Sequence, residues 1–332
     1  MILYNSVDEI NPLQWKELLD QSTTATFFQT RECFDFYNSL SFLKPFVYGV
    51  SENDTLVGIL CGYIIAEGNI LKRFFSRRAI VPGGILLAPD VSMQAVKQLL
   101  DRAKNELAHK AIYLELRNYN DFTTFRPSIE SVGFEYRPHL NFHLNTNSED
   151  IIYSQLSSSK RRQIKQSLKN GAEIIENFNE QELKEYYSIL EDLYKNKVKS
   201  PLFPLEFFIE FQKQRNSKII LIRYQEKIVG GIVCIIFRNE VVYEWFVCGN
   251  DGIDKNVFPS VLATWAGIEY AAKNNYRYFD FMGAGKPDEG YGVREFKSKF
   301  GGELLEHGRF LYICKPSLYR LGKFIVKKLK HK

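Results

Sequence analysis

The sequence predicts an α/β chain of two tandem units with mixed sheets, produced by duplication. At 332 residues the chain exceeds the ~250 to 300 residues at which a single core stops growing. One order of elements, strand, two helices, antiparallel meander, helix, strand, can be read along it twice. Leu56-Val57-Gly58-Ile59 matches Ile228-Val229-Gly230-Gly231, each after a polar turn, and Tyr113-Leu114-Glu115-Leu116 matches Tyr278-Phe279-Asp280-Phe281, each after a helix. The two offsets are nearly equal, as a long-period repeat requires. The expected division is a first unit over 1–147, a second over 148–315, and a basic amphipathic helix over 316–332.

In the first unit, residues 2–4 read as a strand, and Asn11-Pro12 opens a helix with Asn as cap and Pro in the first turn. A second helix is expected at 30–40. Strands follow at 45–50, 56–65, 70–75 and 84–87, with turn signals at 51–54 and at Pro82-Gly83-Gly84. Helical spacing covers 91–109, a buried strand 111–116, a helix 122–131 and further strand 133–144. Residues 145–150 are polar and read as the linker.

The second unit opens with a basic helix, Ser-capped at Ser157 and stopped at Gly171, that carries Lys160, Arg161, Arg162 and Lys165. A strand is expected at 172–178. Asn179 with Glu182 makes a capping box for a helix to about residue 195, and a further helix covers 204–214. Strands at 218–224, 228–237 and 241–248, a helix at 258–273 and a strand at 276–282 complete the repeat. That last strand opens into a glycine-rich loop, 283–292, and a short helical turn bearing Arg294 and Lys297, which Gly301-Gly302 stop. Chemistry concentrates where a rigid strand meets a loop, and the first unit has no such loop after its equivalent strand.

Composition narrows the class further. Nineteen Tyr and 26 Phe suit aromatic cores or grooves, and a net charge of +5 mildly favours an anionic partner. The five cysteines form no Cys-x-x-Cys pair and read as reduced core residues of a cytoplasmic protein. No stretch reaches the ~18 apolar residues of a membrane span, and the five histidines form no ligand pattern, so no metal is expected.

In sequence the chain resembles the Fem family, aminoacyltransferases that build peptidoglycan cross-bridges from aminoacyl-tRNA on a duplicated GNAT acyltransferase fold. The resemblance rests on Lys160-Arg161-Arg162 leading to Lys169-Asn170-Gly171-Ala172, on Val229-Gly230-Gly231, on Pro259, and on Phe279-Asp280-Phe281-Met282-Gly283 running to Glu295-Phe296-Lys297 and Phe300-Gly301-Gly302. Phe28-Gln29 and Pro82-Gly83-Gly84 extend it to the first half. Two departures stand out. Family members acting on a nucleotide-linked muropeptide carry a phosphate-holding lysine shortly after Phe-Gln, where this chain has Phe34, Phe36 and Tyr37; and the long helical arm that contacts tRNA in some members is absent.

The resemblance implies an acceptor-side first unit and a catalytic second unit. It also implies that Lys297 supports the transition state, with Phe296 burying one face of the turn and Lys297 projecting from another. Asp280, at the end of a buried strand, needs a partner; a backbone hydrogen bond or a basic residue is expected, and a general-base role is the alternative. Arg294 either holds phosphate or pairs with Glu295 or Glu303. Tyr243 and Glu244 lie on the strand facing the acyl donor, and alternation lets only one point into the groove. Lys160, Arg161 and Arg162 are candidates for gripping pyrophosphate or RNA, and Lys195 with Lys197 forms a second cluster.

Three functions compete. The first is aminoacyl transfer from aminoacyl-tRNA to an amine of a cell-wall precursor, with no other cofactor. The second is acyl-CoA-dependent N-acylation of a cell-surface sugar, disfavoured because 249–260 lacks the Arg/Gln-x-x-Gly-x-Gly/Ala phosphate cradle and places Asp251 and Asp254 there. The third is a non-catalytic binding module. The helix 316–332 packs its Leu318, Leu321, Ile325 and Leu329 stripe on the second unit, docks on tRNA, or lies on the inner face of an anionic membrane.

Overall fold

The computed structural model describes residues 1–66, 76–199 and 201–330. The strand expected at 70–75 and the last two residues of the helix expected at 316–332 lie outside them. Along the chain the strands are β1 (Ile2–Tyr4), β2 (Leu43–Glu52), β3 (Thr55–Ile65), β4 (Arg78–Gly83), β5 (Leu86–Leu87), β6 (Tyr113–Asn118), β7 (Glu135–Arg137), β8 (Leu140–Asn145), β9 (Glu173–Ile175), β10 (Ser217–Tyr224), β11 (Lys227–Phe237), β12 (Val241–Gly249), β13 (Tyr278–Asp280), β14 (Glu303–Glu306) and β15 (Arg309–Ile313). Among the described residues they form two mixed sheets, ordered β1-β2-β3-β4-β6-β15-β7, with β5 beside β3, and β14-β8-β13-β12-β11-β10-β9.

The compact units are Met1–His139 with Glu306–Lys332, and Leu140–Leu305. This differs from the expected breaks after 147 and 315, and the reason is an exchange of strands. β8 closes the first half in chain order but pairs antiparallel with β13 in the second sheet, while β15 closes the second half and pairs antiparallel with β6 in the first. Local pattern identifies a strand but not its partner.

In the first unit, the helix Met93–Leu107, capped by the Ser92 side chain, buries Val96, Leu99, Leu100 and Ala103 in a core shared with Leu114, Leu116 and Phe310. The turn expected at Pro82-Gly83-Gly84 is instead the end of β4, which runs parallel to β6 through Pro82 and Gly83. Proline is tolerated here because the β4·β6 ladder ends one residue later, at Gly83. The two motifs of this half meet: Gln29 Nε2 donates to the carbonyls of Gly83 (2.9 Å) and Gly84 (3.2 Å). Gly83 has φ +78°, and a Cβ there would lie 2.3 Å from Thr26 Oγ1, so glycine is required.

The C-terminal helix, Pro316–Lys330, belongs to the first unit, because β15 delivers it there. Its Tyr319 ring packs edge-on against Tyr113, 5.6 Å between centroids, and the Tyr319 hydroxyl accepts from Arg137 Nη1 at 3.0 Å. Tyr319 thus packs within the unit to which β15 delivers the helix. Among the described residues no helix is long and apolar enough to cross a membrane.

In the second unit, the helix Pro259–Lys273 covers one sheet face and buries Leu262, Trp265, Ala266 and Ile268. On the other face the helix Glu180–Leu193, with the Asn179–Glu182 capping box in place, lays Tyr186 over Gly231. The helix Leu205–Phe211 sets Phe207 edge-on to Trp245 and Phe208 to Phe246. This sheet holds β13 and the glycine-rich loop.

Candidate active site

β12 and β13 run parallel for only three pairs, Val241–Tyr243 against Tyr278–Asp280, after which β12 continues to Gly249 while β13 stops. Two local features part them. Asp280 Oδ1 accepts the Met282 N–H at 2.6 Å, and Met282 takes φ +54°, a left-handed conformation rare outside glycine and concentrated at functional sites. In β12 a bulge against Val233 and Cys234 makes Trp245 the extra residue beside Glu244; bulges next to active sites re-aim side chains. The strand expected to reach Met282 thus ends at Asp280.

Lys297, on the helix Gly292–Ser298, fills the opening. Its Nζ donates to the carbonyls of Phe281 (2.5 Å) and Gly283 (3.0 Å) and lies 3.0 Å from Glu244 Oε1. An ammonium has three donors, and all three are engaged. The side chains of Lys297 and Glu244 are 10% and 2% exposed, so Lys297 does not project from the turn as expected; it points inward. Burial raises the Glu244 pKa above its ordinary value, and the Lys297 charge only partly offsets this.

Asp280 sits beside this pair on β13. Its Oδ1 also accepts from Asn141 Nδ2 at 2.7 Å, and its Oδ2 lies 2.9 Å from His143 Nε2. Burial would raise the Asp280 pKa, but the His143 charge, its hydrogen bond, Asn141 and the Met282 N–H together lower it. Burial would likewise lower the His143 pKa, and the charge and hydrogen bond of Asp280 outweigh it and raise it. The imidazole is stacked on Tyr278, 5.0 Å between centroids, and its side chain is 18% exposed. An imidazole can hold or release a proton, and the Asp280 carboxylate favours the form that holds it. Asn141 Oδ1 accepts the Gly283 N–H at 2.8 Å, tying the same loop.

His143 and Asn141 were missed by the sequence reading, because β8 was assigned to the other half. The available signal was alternation: both stand on the polar side of the 140–144 strand.

The remaining candidates are redistributed. Among the described residues Arg294 makes no ion pair with Glu295 or Glu303. Its guanidinium donates to the carbonyls of Ala284, Lys286, Pro287 and Glu289 and so clips the glycine-rich loop into shape. The basic run 160–162 is split by helical geometry. Lys160 is buried, with Nζ 4.0 Å from the Phe296 ring centroid and 5.2 Å from that of Phe300; burial and nearby Lys299 push its amine down to about 8. Arg161 and Arg162 face outward, Arg161 donating to the Tyr153 carbonyl at 3.4 Å. They do not form one grip with Lys160. Phe296 is half-buried and carries the Lys160 ammonium. Tyr243 is buried, and as neighbours on a strand Tyr243 and Glu244 point to opposite faces, with Glu244 the one that meets Lys297. Lys197 is exposed on a π-helical turn, Tyr194–Val198. Among the described residues no group of three or more His, Cys, Asp and Glu residues is placed to hold a metal ion.

A strand pair parting at a bulge, on a mixed sheet repeated in tandem, is the arrangement of a tandem GNAT-like fold. Residues 209–327 match the model of the FemAB family. Solved structures share the fold across nearly the whole length. FemX superposes with a TM-score of 0.69 at 13% identity, covering 97% of this chain and 99% of that one. A tandem GNAT protein from the clavulanic acid biosynthesis pathway gives 0.62 at 11%, covering 94% and 99%, and L-PGS from Bacillus licheniformis gives 0.55 at 12%, covering 92% of each. No curated protein sequence matches.

Proposed function

We propose that the chain transfers an aminoacyl group from aminoacyl-tRNA to an amine of a cell-wall precursor, and that the reaction takes place where β12 and β13 part. The observation that carries this reading is the FemAB match at 209–327, which contains β12, β13, Asp280, Glu244 and Lys297. In aminoacyl transfer the acceptor amine attacks the ester carbonyl, the carbonyl oxygen gains charge, and the ribose oxygen leaves with a proton. A fixed ammonium in a dry site stabilises that developing charge. Lys297 supplies one, and the Gly283 carbonyl, part of the loop, is the acceptor that loop movement would release so that Nζ can turn to the substrate oxygen. The Asp280–His143 pair offers a proton acceptor for the attacking amine.

The acyl-CoA reading is weakened at the start of the helix Pro259–Lys273. Pro259 has no N–H, and the Ser260 N–H is taken by Asp251 Oδ1 at 3.0 Å, so the chain's own carboxylate stands where a pyrophosphate would need amides. Purified protein incubated with a muropeptide acceptor and either labelled aminoacyl-tRNA or labelled acyl-CoA tests the assignment. Label should pass from the tRNA to the acceptor; transfer from acyl-CoA alone would overturn the reading.

A further inference from the structure

Three arginines stand in one row across neighbouring strands of the first unit. Arg117 of β6 is the direct register partner of Arg309 of β15, and Arg309 is the direct partner of Arg137 of β7. Directly paired residues of antiparallel strands share a face, and like charges in that relation destabilise the sheet. Among the described residues two carboxylates pair with them. Glu115 lies 2.7 Å from Arg117 Nε and 3.5 Å from Arg309 Nη1, and Glu135 lies 3.0 Å from Arg137 Nη2. The row therefore keeps one positive charge in excess.

The arginines are placed for a ligand rather than for the core. Leu114, Leu116 and Phe310, which alternate with the charged positions, are buried on the opposite face. The Arg117 and Arg309 side chains are 32% and 30% exposed. Arg117 spends Nε on Glu115, and among the described residues its two terminal nitrogens have no hydrogen-bond partner. Arg309 Nη2 is 2.9 Å from His139 Nε2. Burial would raise the Glu115 pKa, yet Arg117 and Arg309 hold it down to about 2; against burial, Glu115 and Glu135 raise Arg117 and Arg137, whereas burial followed by the Arg117 charge lowers Arg309 below its usual value.

We propose that the row Arg117, Arg309, Arg137 is a binding subsite for a phosphate-type oxyanion, a phosphomonoester or diphosphate carried by a small ligand. Planar guanidinium forks match phosphate oxygens two at a time, and a dianion supplies more than the missing charge. The assignment uses nothing from the transfer reaction and stands or falls without it.

Titration calorimetry on the full chain with inorganic pyrophosphate tests it, using acetate as the carboxylate control. Wild type should bind pyrophosphate, more weakly as NaCl is raised, and acetate should not bind. Arg117→Gln/Arg309→Gln, checked for folding by circular dichroism, should weaken binding by about tenfold or more. Arg117→Lys keeps the charge and alters only one contact, so it reads the fork even if the double variant does not fold; it too should weaken binding. Absence of binding by wild type, unchanged affinity in a folded variant, or equal binding of acetate would overturn the proposal. Displacement of pyrophosphate by deacylated tRNA would assign the row to an RNA backbone and overturn the small-ligand assignment.

Discussion

Glu115 on β6 and Asp280 on β13 occupy matching positions of the repeated strands, and each meets its cation across an antiparallel ladder from the exchanged strand. The cations differ. Glu115 is held by Arg117 and, from β15, by Arg309; Asp280 is held, from β8, by His143. Arginine keeps its charge at any pH the protein survives, so the first cluster carries fixed charge and cannot move a proton. The second holds an imidazole, which can. The strand ends differ in the same sense: β4 and β6 stay paired for five residues, β12 and β13 for three, and only the second opening is filled by a lysine. The two strand ends are thus equivalent in place and different in chemistry: one carries fixed charges, the other a titratable imidazole and a buried lysine.

The largest expected effect is at the second strand end. Lys297→Ala leaves Glu244 as a buried carboxylate without its ion partner, and chemical denaturation should report a loss of ~3–5 kcal/mol. Adding Glu244→Gln should recover much of that loss, because the buried charge is gone.

Asp280→Asn should cost less, about 2 kcal/mol, but with a distinctive pH dependence. The raised His143 pKa contributes stability that is complete below its ordinary 6.5 and lost as pH rises through the folded value. The lowered Asp280 pKa contributes stability present above its ordinary 3.8 and lost as pH falls through the folded value. The difference between wild type and variant should therefore be greatest between about pH 4 and 6.5 and shrink on either side, which unfolding curves across pH would show.

Glu115→Gln in the first unit should cost on the order of 1–2 kcal/mol with no such profile. Its pKa is lowered from 4.5 to about 2, so its contribution persists above pH 4.5 and is lost only toward pH 2. A neutral-pH slope for this variant would erase the contrast between the two clusters. Gly302→Ala should have a smaller effect, about 1 kcal/mol, measured as a lowered Tm: φ is +92° and the new Cβ would meet the His143 carbonyl at 2.8 Å.

The repeat, the capping box at Asn179, and the loop and short helix of the 278–302 stretch were legible because each is written in local pattern or in glycine. The environment of Lys297 was not. Helical spacing put Phe296 and Phe300 on one face, but whether Lys297 turned outward depended on the parting of β12 from β13, which leaves the carbonyls of Phe281 and Gly283 needing a donor. Arg294 and Lys160 were misplaced for a related reason: a basic side chain beside a glycine-rich loop or an aromatic pair can satisfy the protein itself before it meets a ligand. His143 was hidden by the strand exchange, which no short-range signal marks.

The central claim is that transfer occurs at the end of β13 and needs the Lys297 ammonium there. Single-turnover transfer from labelled aminoacyl-tRNA to a muropeptide, measured for wild type and for Lys297→Met/Glu244→Gln, addresses it directly, because the paired change removes the cation without stranding a buried charge. The account predicts a folded variant whose transfer rate falls by about 100-fold or more. Transfer at the wild-type rate by the folded variant would contradict it.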